Sequence, residues 1–179
     1  VKNNIKGDFV ECGVWRGGIP LAIAMVLKDL NSMKKIYLFD TYEGMTEPSK
    51  FDLDYRGKSA IQKFKRLNRN THNEWCYASL EDVKSHFHKI GLIDNVRFIK
   101  GDVCQTLKEK DNLPKEISLL RLNTDWYEST KVEMDILYPL LSIDGVLLLD
   151  TYGHWEGARK AIDEYLLKNN LNNKSLFWK

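Results

Sequence analysis

The sequence predicts an α/β protein, a doubly wound and mostly parallel sheet with helices packed on both of its faces. Three observations predict it. Short apolar runs of strand length recur along the chain, stretches of helical period separate them, and polar groups crowd the carboxyl ends of the runs. At 179 residues the chain suits one domain, spanning 1–179, with a full-sized core.

The first run, "DFVECGV", leads into a glycine turn and a nearly all-apolar stretch from Pro20 to Leu30, which predicts a helix opened by Pro20. "KKIYLFD", "NVRFIKGD", "ISLLRLN" and "GVLLLD" supply four further strands. Each carries several core-type residues without polar alternation, as expected of parallel strands covered on both faces. Leu80, Val83, Phe87 and Ile90 mark a helix before the third strand. Val132, Ile136, Leu137, Leu140 and Leu141 mark another before the fifth. The clearest helix carries Ala158, Ala161, Ile162, Tyr165 and Leu166 at i, i+3, i+4, i+7 and i+8. Thr130 with Glu133 reads as a capping box, and Asp144-Gly145 as the turn into the fifth strand.

One segment breaks this rhythm. Residues 43–78 are long, polar and only partly helical, and connections of that length are more often functional lids than linkers. The basic run Lys63, Lys65, Arg66 and Arg69 inside it reads as a solvated helix face ahead of a nucleic-acid patch.

Composition narrows the function. Lys+Arg of 27 against Asp+Glu of 25 leaves +2, so no overall field selects nucleic acid or an anionic membrane. Three scattered cysteines, Cys12, Cys76 and Cys104, fit neither a disulfide framework nor a zinc ribbon, and a reduced, cytoplasmic protein is expected. The longest apolar run, "IPLAIAMVL", is nine residues, short of the roughly 20 that span a bilayer. The expected partner is a small molecule; a homo-oligomer stays open, because oligomeric state is unreadable from the sequence.

Polar residues at successive strand ends suggest the site. Glu11, Gly13, Gly17 and Gly18 lie at the first strand-to-helix turn, where glycines let the backbone approach a ligand and the helix offers free N–H groups. The order E-x-G-x-x-x-G-G differs from the G-x-G-x-x-G that wraps a pyrophosphate, which counts against a dinucleotide oxidoreductase. S-adenosylmethionine fits better, with an acid near its cationic amino-acid end; the alternative is a tight connection. Asp40 could accept the hydroxyls of a ribose, or cap a turn. Asp102 could meet an adenine amino group, or belong to an ordinary Gly-Asp turn.

The stretches "GDFVECGVWRGG", "LFDTYEGM", "SLLRLNTDWYEST" and "DTYGHWEGARKAIDEY" closely resemble the macrocin O-methyltransferase (TylF) family over nearly the whole chain. The resemblance implies a Rossmann-like class I methyltransferase fold, S-adenosylmethionine as methyl donor and a sugar hydroxyl as acceptor. Against that family the N-terminus and the last strands look truncated. The resemblance also implies magnesium beside the acceptor, held by an aspartate after strand four and a pair after strand five. Here those positions are Asn123, Asp150 and Thr151, so their formal charge falls from −3 to −1 and metal binding is expected to weaken.

His154 and Asp125 are the candidate catalytic residues, in different roles. His154 is the candidate general base, with capping of the last helix as its alternative, and His72 is a weaker candidate for that base. Asp125 could enter the site as a substitute metal ligand or outer-shell acid, or be a loop acid favoured by the helix dipole. Trp126 and Tyr127 read as packing groups before sugar-stacking platforms. A module that binds S-adenosylmethionine or a partner without catalysis is the competing function. A nucleic-acid amino-methyltransferase ranks lower, because Pro20, Pro48, Pro114 and Pro139 never form a pair, which excludes the Asn/Asp-Pro-Pro-aromatic motif expected of it.

Overall fold

A computed structural model describes residues 4–171. Five parallel strands form one sheet in the order β3-β2-β1-β4-β5. They are β1 (Asp8–Cys12), β2 (Ile36–Asp40), β3 (Val96–Lys100), β4 (Ile117–Leu122) and β5 (Leu141–Leu149). The helices are α1 (Gly18–Asp29), α2 (Ile61–Leu67), α3 (Leu80–Lys89), α4 (Val103–Thr106), α5 (Tyr127–Leu137) and α6 (Glu156–Lys168). The chain runs outward from β1 to β3, then returns to β4 beside β1. Strand order therefore reverses between β1 and β4, where such sheets bind ligands at their carboxyl ends.

Side-chain alternation splits the core into two layers. Ile36 and Leu38 pack with Ala24 and Leu27 of α1 and Val83 and Phe87 of α3. Tyr37 and Phe39 face the other way, onto Val103, Met134 and Ile162 from α4, α5 and α6. Leu120, with no exposed surface, anchors this second layer; trimming it to Ala costs about 2–5 kcal/mol. Among the described residues no helix is long and apolar enough to cross a membrane. The expectations about the chain's two ends fall on 1–3 and 172–179, outside the described residues.

Three local expectations are corrected. Double coverage holds for β1, β2 and β4 but fails at β5, where Ile143, Val146 and Leu148 are 92%, 49% and 42% exposed. This strand ends the sheet beside β4, and its apolar contacts, through Leu147 and Leu149, join the layer of α5 and α6. Asp144-Gly145 lies inside β5 as an irregularity: Asp144 has φ 62°, and the register slips between Ile117 and Leu119. Thr130 and Glu133 form no capping box. The helix starts earlier, and the buried Asp52 accepts the Tyr127 N–H at 2.8 Å. A carboxylate from the 43–78 segment thus takes the cap, and Glu133 turns into the core instead.

Candidate active site

A cleft of about 560 Å³ opens at the carboxyl ends of β1, β2 and β4, a size that suits a small metabolite. Gly13 begins it. Its φ of 81° and its nearness to Asn123 leave no room for a side chain: a Cβ there would lie 2.2 Å from the Asn123 carbonyl oxygen. Gly17, also left-handed at φ 77°, is the N-cap of α1, and Gly18 is the first residue of that helix. Gly13 and Gly18 line the cleft.

The acids of the strand ends meet here, each with a structural duty. Asp40 accepts from the Val14 and Trp15 N–H groups at 2.6 and 3.0 Å and from Tyr42 at 2.7 Å, so it clasps the glycine turn. Asp102 caps α4 by accepting the Cys104 N–H at 2.8 Å. Both also line the cleft. Glu11, 3% exposed, keeps one carboxylate oxygen without a hydrogen-bond partner. Burial raises its pKa from 4.5 to about 7 against the opposing charge of Arg121.

Arg121 is the residue that sequence reasoning missed. Its guanidinium pairs with Glu11 through Nη1 and with Asp150 through Nη2 at 2.5 Å. The signal was present: an arginine inside the apolar strand "SLLRL" needs acidic partners once buried. Asn123 donates its amide Nδ2–H to the Gly13 carbonyl at 2.9 Å. Asp125, in the left-handed region at φ 78°, lies in the cleft with hydrogen-bonding partners at Thr151 and Trp155. Burial first, and the Asp150 charge second, raise its pKa from 3.8 to about 7. A carboxylate on a strained backbone in a cleft is a functional signature.

His154 lies elsewhere, which corrects its expected place in the site. It lines a neighbouring groove with Lys63, Arg66 and Trp75, its ring 5.5 Å from Tyr55 and 4.9 Å from Trp155. The helix that follows has Trp155 as its N-cap residue, so His154 is not its cap. His72 sits beside Tyr77 at 4.3 Å. Trp126 is 2% exposed and donates to the Thr46 carbonyl at 2.9 Å, and Tyr127 is also buried, so both are packing groups. Trp126, Trp75 and Trp155 form a wall with Ala60 and Ala158.

The donors at Asn123, Asp150 and Thr151 do not fit a magnesium ion. Asp150 is the single carboxylate among the three, and one of its oxygens is already paired with Arg121, which Glu11 shares. The Asn123 amide is fixed by Gly13, and Thr151 is engaged with Asp125. Among the described residues no group of three or more His, Cys, Asp or Glu side chains could hold a metal. A hard cation that prefers carboxylate oxygens meets a nearly neutral set here.

Comparison with known proteins agrees with this architecture. The family model described as Macrocin-O-methyltransferase (TylF) matches residues 1–176. The 8-demethyl-8-(2,3-dimethoxy-alpha-L-rhamnosyl)-tetracenomycin-C 4'-O-methyltransferase of Streptomyces olivaceus is 32% identical over 169 residues, covering 91% of this chain and 59% of that protein. Demethyldecarbamoylnovobiocin O-methyltransferase of Streptomyces niveus is 31% identical over 175 residues, covering 94% and 61%. The solved O-methyltransferase NovP superposes with a TM-score of 0.77 at 28% identity, over 94% of this chain and 66% of that one. The chain thus spans about three fifths of the length of the curated relatives it matches.

Proposed function

Because the chain belongs to the macrocin O-methyltransferase (TylF) family, we propose that it methylates a hydroxyl of a sugar or sugar-bearing small metabolite with S-adenosylmethionine as donor. The observation that carries the reading is Asp125, a half-buried carboxylate that lines the cleft the glycine turn opens, its pKa pushed up to about 7 by desolvation. The residues fit the donor: Glu11, Asp40 and Asp102 line the same cleft, acids suited to its ammonium group and ribose hydroxyls. When bound, the donor supplies a methyl group on a cationic sulfur, which is released as a neutral thioether.

The chain's own work is placement and proton removal. Asp125 takes the hydroxyl proton as the acceptor oxygen forms its bond to carbon. Thr151 and Trp155 orient that carboxylate. The whole of 1–179 acts as one domain, and 43–78 serves as a lid. Met45, Thr46 and Cys76 of that segment line the cleft, and Asp52 secures it to α5, which supports the lid reading. His154 has no part in proton transfer.

Calorimetric titration of S-adenosylmethionine, followed by transfer of a labelled methyl group to a panel of glycosides, tests the reading. Binding and transfer in the wild type, with binding retained and transfer lost in Asp125→Asn, is the expected outcome. A module that only binds the donor would show no transfer to any acceptor.

A further inference from the structure

We propose that the acceptor end of this cleft works without a divalent cation, and that Asn123, Asp150 and Thr151 hold the acceptor's hydroxyls by direct hydrogen bonds. The inference rests on the O-methyltransferase reading and deepens it.

The cation at this end belongs to the chain. Arg121 is 9% exposed and held between Glu11 and Asp150 beside the cleft, and its guanidinium keeps its charge near neutrality. It uses one oxygen of Asp150 and leaves the other free to accept. The Asn123 amide donates to Gly13, which leaves its carbonyl oxygen as a neutral acceptor. The Thr151 hydroxyl, which donates its proton to Asp125, keeps its oxygen lone pairs to accept. Asn123, Asp150 and Thr151 all line the cleft. Neighbouring sugar hydroxyls each need an acceptor, which each of these three side chains supplies. Two neutral side chains and one ion-paired carboxylate bind hydroxyls well and divalent ions poorly.

Manganese is a paramagnetic probe with the oxygen-ligand preference of magnesium. Titrated into the protein in the presence of S-adenosylhomocysteine, its free electron-spin-resonance signal should show no stoichiometric uptake at concentrations up to about 1 mM. The double variant Asn123→Asp/Thr151→Asp should take up one equivalent with affinity raised at least about 100-fold. Adding Asp150→Ala to it should abolish that uptake. Stoichiometric uptake by the wild type, lost in Asp150→Ala, overturns the proposal. So does a double variant that melts cooperatively and gains no manganese, because the two positions would then not govern metal binding. Thioether binding is measured separately by calorimetry, so a failure of the methyltransferase reading appears there and leaves the manganese result standing.

Discussion

Arg121 reaches Asp150 at 2.5 Å across the β4–β5 boundary while holding Glu11 on β1 with its other nitrogen. One guanidinium thereby ties together three strand ends around the cleft. This makes the floor rigid and sets its charge before any ligand enters.

Arg121→Leu should lower stability by about 3–5 kcal/mol, because it leaves Glu11 buried without its partner. Protonation of Glu11, whose pKa already stands near 7, limits the loss in acid. Thermal melts of Arg121→Leu, Glu11→Leu and the double variant check this. The double variant should be more stable than the two single losses added together.

Glu133 should make stability fall as pH rises. Its carboxyl is fully buried, and that burial pushes its pKa from 4.5 to about 8 against the lowering contacts of Thr124 and Cys12. The folded state therefore keeps a proton that the unfolded chain has released. The stabilising contribution is whole below pH 4.5 and is lost progressively until about 8. Denaturant unfolding at several pH values should show Glu133→Gln gaining on the wild type as pH rises. Parallel curves would contradict this.

Gly157→Ala should loosen the segment 43–78. A Cβ there would sit 2.0 Å from Asp52 Oδ1, the oxygen that caps α5 at Tyr127. Loss of such a cap costs about 1–2 kcal/mol. Limited proteolysis should cut within 43–78 sooner in this variant, and sooner again in Asp52→Ala.

His154→Ala should leave the binding of S-adenosylmethionine and the rate of methyl transfer within about threefold of wild type, because substitutions remote from the chemistry change little. The histidine lines the neighbouring groove with Lys63 and Arg66. A loss of rate like that of a missing general base would return the catalytic role to it.

Much of the fold is legible in the chain because its strands are short apolar runs and α6 repeats its apolar residues at helical spacing. The glycine turn and the acids at strand ends likewise lead to the cleft that the structure contains. Failures arise where long-range partners decide. Asp52 caps a helix 75 residues away, so local spacing around Thr130 could not reveal it. Asp125 and His154 lie close to strand ends alike, and only tertiary packing sends one into the cleft and the other into the groove. Arg121 was visible as a charge inside a strand, but its two partners come from other strands.

The most direct test of the account is transfer of a labelled methyl group from S-adenosylmethionine to rhamnosides and related glycosides in the presence of EDTA, comparing wild type with Asp125→Asn. The account predicts labelled acceptor from the wild type, undiminished by EDTA, and a loss of about 100-fold or more in the variant. Transfer that stops when EDTA is added, or that survives in Asp125→Asn, would contradict it.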